Sequence, residues 1–136
     1  MEIRPINGYR TFGLLVVAAH LSVAVWHLFL AAQVLSGPNN KISLLAVLLI
    51  TLMHFVIGSA WWKLTDRLAG ATLATFFIAA LAFDVYEHFL HRGGNNVFMV
   101  LPGEWKLAFE VSVGLLIALE LFGAGLGVRF LKPVEQ

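Results

Sequence analysis

The sequence predicts an all-α fold, an integral membrane bundle of four antiparallel transmembrane helices, and three observations predict it. Of the 136 residues, 60% are hydrophobic and only 12% are charged, against about 45–50% and about 25% in an ordinary soluble domain. The apolar residues are gathered into four long runs, each enough to cross a hydrocarbon core about 30 Å thick. The polar stretches between the runs are short, which ties successive helices into an up-down-up-down bundle. The expected spans are 11–35, 42–64, 68–91 and 104–130, all within a single membrane domain that covers residues 1–136.

The first span follows a polar lead carrying Arg4 and Arg10. Its apolar run is too long for the about 7–15 residues of a signal peptide's core, so it is expected to stay as a helix. Ser36 to Lys41 reads as a tight polar turn. The second span closes on Trp61, Trp62 and Lys63, residue types that anchor a helix at the membrane interface. Thr65 or Asp66 is a natural N-cap for the third span. The stretch from Arg92 to Gly103 is the longest loop, and its apolar middle, Val97 to Leu101, suits a segment that dips into the interface or folds over the bundle. Glu104 opens the fourth span, where a carboxylate suits the helix dipole, and Trp105 marks headgroup level. Near its end Gly123, Gly125 and Gly127 leave room for a close helix neighbour.

Other classes fall away. A formal net charge of +1 and the lack of a basic stripe give no footprint for nucleic acid. The absence of cysteine removes disulfides, thiolate metal sites and thiol nucleophiles together. Orientation is read from the basic residues. Arg4, Arg10, Lys63, Arg67, Arg129 and Lys132 lie on one side, and Lys41, Arg92 and Lys106 on the other. The positive-inside rule then puts both termini in the cytoplasm and the 92–103 loop outside.

Chemistry is concentrated in residues 84–91, DVYEHFLH. Asp84, Glu87, His88 and His91 fall in eight positions at the end of an apolar run, and on an α-helix they share one stripe. Asp84 with His88, and Glu87 with His91, are one turn apart, the spacing that lets two side chains reach one ion. Ionisable groups are costly in hydrocarbon, so such a cluster points to function. At a rise of about 1.5 Å per residue, His27 on the first span and Glu110 on the fourth reach the same depth. His20, His54 and Glu120 lie deeper, in a thinner central layer, with Glu120 expected as a hydrogen-bonded acid.

Imidazole and carboxylate together suit a divalent transition metal such as copper, iron, zinc or manganese. The expected ligands are His27, Asp84 and His88, with Glu87, His91 and Glu110 as further ligands or their supports. Over five residues, Asp84-x-x-x-His88 resembles the Asp-x-x-x-His step of the copper sites in particulate methane and ammonia monooxygenases. The further histidine that completes those sites has no counterpart here. A haem b reading, as part of a quinone-linked electron-transfer subunit, would instead use His20 and His54 with His27 or His88 as axial ligands. A third reading makes the chain an accessory subunit whose polar stripe meets other membrane subunits or a second copy. The plainest reading of all treats the polar residues as interhelical hydrogen-bond partners, worth roughly 0.5–2 kcal/mol each. No catalytic residue is assigned, and the lipid bilayer is the expected surrounding.

Overall fold

In a computed structural model, which describes residues 8–35 and 44–131, the chain is all-helical. Helix α1 spans Gly8–Val34, α2 Leu44–Lys63, α3 Asp66–Val85 and α4 Lys106–Arg129. One turn of π-helix, Tyr86–Leu90, prolongs α3, so that the third membrane-length segment is Asp66–Leu90. All four segments are long and apolar enough to cross a membrane, and they pack against each other without strands among the described residues. The protein is thus a multi-pass integral membrane protein. The expected turn at Ser36 to Lys41 lies outside the described residues, as do Arg4 and Lys132.

α3 and α4 form the closest pair. Small residues are the cause. A Cβ added at Gly123 would run into the Phe77 ring, and one at Gly127 would run into the backbone of Ala74. At Gly70 a Cβ would lie 2.8 Å from the Gly127 carbonyl oxygen. Close backbone approach of this kind supplies the dispersion contacts that hold helices together where lipid removes the hydrophobic driving force. Gly125, expected to share this role, faces open space.

Two apolar clusters cap the bundle. Val16, Val17, Trp61, Leu73, Phe76 and Phe77 fill the end where α2 meets α3, and Leu30, Ala31, Val100, Phe109 and Val113 fill the end beneath the 92–103 loop. Polar residues occupy the middle. Trp61, expected at the interface beside Trp62, is instead 1% exposed, with its indole against Gly13 and its Nε1 donating to the Arg10 carbonyl at 2.8 Å. Only Trp62 of the pair is exposed.

Arg10 turns out to close α2. Its guanidinium donates to the carbonyls of Trp61 at 2.6 Å, Trp62 at 2.9 Å and Leu64 at 2.9 Å, and it pairs with Asp66. Three carbonyls at the end of a helix and the carboxylate that opens the next are thereby met by one fork of N–H donors. Thr65 precedes α3 in extended conformation but makes no side-chain cap bond. α4 begins two residues after Glu104, at Lys106.

Candidate functional site

The π turn shapes the site first. His91 N–H donates to the Tyr86 carbonyl at 2.7 Å, an i to i+5 bond that widens the last turn of the third segment. The loop then folds back: Val97 N–H donates to the His88 carbonyl at 3.0 Å, and Val100 is buried against Leu30 and Phe109. Asn96 pins the return, its Nδ2 donating to the His91 carbonyl at 2.9 Å while its Oδ1 accepts from Phe98 N–H. Within the apolar middle of this loop Val100 faces the bundle, whereas Phe98, Met99 and Leu101 are exposed.

The expected stripe divides across this turn. His88 is buried, and its Nδ1 meets the Asn95 carbonyl at 2.9 Å. His91 is exposed at the edge, paired through Nδ1 with Glu87 at 3.2 Å and stacked on Tyr86. Asp84 lines the same cavity wall as Glu120 of α4. Glu110 pairs with Lys106 at 3.7 Å on the surface of α4.

Two buried groupings result. In the first, the His27 and His88 rings meet edge to face with centroids 4.8 Å apart, and both pack on Phe109. His27 Nδ1 lies 2.8 Å from Ser112 Oγ. Ser112 spends its own proton on the Phe109 carbonyl at 2.7 Å, so it accepts from His27. Asn95 offers His88 a carbonyl, which can only accept. Both histidines therefore carry the proton on Nδ1 and keep the Nε2 lone pair free.

In the second grouping, His20 Nδ1 lies 2.7 Å from His54 Nε2, and His20 Nε2 lies 3.1 Å from Glu120 Oε1. His54 Nδ1 donates to the Ile50 carbonyl at 2.7 Å. Glu120 is fully buried, and its second oxygen, Oε2, has no hydrogen-bond partner. The hydroxyls of Ser22, Thr51 and Thr72 bond to carbonyls of their own helices, one turn back, and lie outside both groupings.

A cavity of about 440 Å³ runs past both groupings. Its polar wall is His20, His54, Glu120, Asp84, Glu87, His27, His88 and Asn95, and its apolar wall includes Ala24, Met53, Phe83 and Leu116. His91 and Glu110 are not part of it. Among the described residues no three His, Asp or Glu side chains are gathered within reach of one ion. Two participants escape a reading of the sequence, Ser112 and Asn95. A lone serine inside the apolar run of α4 is a faint signal for the first; the carbonyl role of Asn95 leaves none.

No family model matches this chain, and no curated protein or solved structure matches it. Function is therefore argued from the geometry of the site.

Proposed function

We propose that this integral membrane protein binds a divalent transition metal in its bundle through His27 and His88. The observation that supports the reading is the shared state of the two rings. Each gives its Nδ1 proton to a fixed acceptor, Ser112 or Asn95, and each keeps Nε2 as a donor beside a common cavity. Metal-ligating histidines are oriented by the same device, a second ring nitrogen bonded to a carbonyl or similar acceptor. Two imidazoles favour zinc, copper, iron or nickel over magnesium or calcium.

Glu87 is the carboxylate best placed to join them. It lines the cavity one residue before His88, and its present partner is an exposed histidine. Exchanging that exposed pair for a metal bond costs about 0–1 kcal/mol. Asp84 lines the wall with Glu120 and is left to the deeper grouping. His91 then serves as the partner that holds Glu87 when no ion is bound, and Glu110 has no part. The remaining coordination positions would be open to water or to an exogenous ligand, as an active rather than a closed structural site requires.

Haem b fits less well. His20 and His54 are hydrogen-bonded at 2.7 Å, whereas an iron between them needs two metal–nitrogen bonds of about 2 Å each. In this reading both termini lie in the cytoplasm and the site near the outer face, an orientation drawn from the bias of the basic residues. Equilibrium dialysis of the purified chain against zinc or copper, with an absorption spectrum of the same sample, tests the reading. Stoichiometric metal that is lost in His27→Ala and His88→Ala is the expected result; a Soret band, or metal retained by both variants, contradicts it.

A further inference from the structure

The deeper grouping takes no part in the proposed metal site, yet it joins three helices in one hydrogen-bonded line and ends beside Asp84 of the fourth. His54 comes from α2, His20 from α1, Glu120 from α4 and Asp84 from α3. The polarity of the line is fixed from one end. The Ile50 carbonyl can only accept, so His54 Nδ1 carries a proton. His54 Nε2 is then the acceptor for His20 Nδ1–H. What is left between His20 Nε2 and Glu120 Oε1 is a single proton, held by the acid or by the imidazole. The two arrangements differ only in which side of a 3.1 Å contact holds it.

Interhelical glue would end there, with every group satisfied. Here Glu120 Oε2 is buried without a partner beside the Asp84 carboxyl, on the wall of the 440 Å³ cavity. A second groove, of about 500 Å³, begins at the other end of the line. Ser59, Trp62 and Lys63 line it toward the end of α2 that Arg10 closes, and Leu14 and Val17 line it from α1. Among the described residues His54 alone borders both spaces.

We propose that Asp84, Glu120, His20 and His54 form a proton relay that connects the cavity under the 92–103 loop with the groove at the Lys63 end. A proton taken up by the Asp84–Glu120 pair passes from Glu120 to His20 Nε2. His20 releases its Nδ1 proton to His54 Nε2, and His54 releases its Nδ1 proton into the groove. One proton enters and one leaves, and rotation of the two rings restores the starting arrangement. Intramembrane chains of acids and histidines are suited to this task because water is excluded along most of the path. The charged and titratable groups facing the relay are His27 from α1, Glu87 and His88 from the third segment, and Lys63 of α2 at the groove mouth. The proposal is independent of metal binding at His27 and His88.

The full chain reconstituted in phosphatidylcholine–phosphatidylglycerol vesicles, with a pH-sensitive dye inside, tests it. A potassium gradient with valinomycin supplies the driving potential. Proton entry is expected to exceed that of protein-free vesicles and to fall by about tenfold or more in Glu120→Gln, whose amide still hydrogen-bonds to His20 but cannot release the proton. Gly58→Leu is the second variant. Gly58 lines the groove one turn after His54, and a Cβ added there has ordinary clearance from Leu14 and Val17, so a larger side chain narrows the exit. It is expected to slow entry to the same degree. Entry no faster than in protein-free vesicles overturns the proposal, as does either variant conducting at the rate of the unaltered chain.

Discussion

Ser112 is fully buried, donates to the Phe109 carbonyl and receives the Nδ1 proton of His27. Ser112→Ala therefore leaves a buried imidazole N–H without an acceptor, at a cost of about 1–3 kcal/mol. The same change frees the His27 ring to take the other tautomer or to turn, and partners of this kind are worth about 10–100-fold in metal affinity. Unfolding in detergent and metal titration of one sample should show both losses. Unchanged affinity would mean that His27 needs no orienting partner. At this scale the sequence is informative about identity and silent about state. That His27 and His88 reach one depth follows from counting residues along two helices. That each keeps Nε2 free depends on a serine and on a loop carbonyl, and neither is marked by spacing or composition.

Among the elements, the four helices are legible because hydrocarbon demands long apolar runs with internally satisfied backbones. Their bounds in the structure lie within a few residues of those expected. The π turn is not legible. It depends on the 92–103 loop returning over the helix end, where Val97 and Asn96 bond back to residues of the turn and its cap. In this turn Glu87 and His91 keep their i, i+4 pairing at an edge while His88 is inside. Trp61 also misleads for a physical reason: an indole beside lysine suits an interface, but Gly13 opposite gives it a buried place. The α3–α4 contact yields a prediction. At Gly127 an added Cβ meets backbone of Ala74, which cannot rotate aside. Gly127→Ala should destabilise the bundle by about 1–3 kcal/mol, whereas Gly125→Ala, facing open space, should not. Thermal unfolding of the two variants side by side checks this, and equal stability would refute the close crossing.

For the whole molecule, orientation rests on the basic residues, with Arg4, Arg10, Lys63, Arg67, Arg129 and Lys132 facing Lys41, Arg92 and Lys106. Arg10 is partly withdrawn from that tally, because its charge is spent on the end of α2 and on Asp66. The remaining bias still favours an outward 92–103 loop, which is the orientation we propose. The absence of cysteine makes the check direct. A single cysteine introduced as Asn40→Cys should react with a membrane-impermeant maleimide added to intact cells, and one introduced as Gln136→Cys should react only after lysis. The reverse pattern would invert the protein and put the metal site near the cytoplasmic face.

The central claim is that His27 and His88 hold one ion together. Pulsed electron paramagnetic resonance of the copper-loaded protein reads it most directly, because it counts the imidazoles whose remote nitrogens couple to the bound Cu²⁺. The account predicts two in the unaltered chain and no bound Cu²⁺ signal in His27→Ala. No imidazole coupling, or two imidazoles that survive His27→Ala, would contradict it.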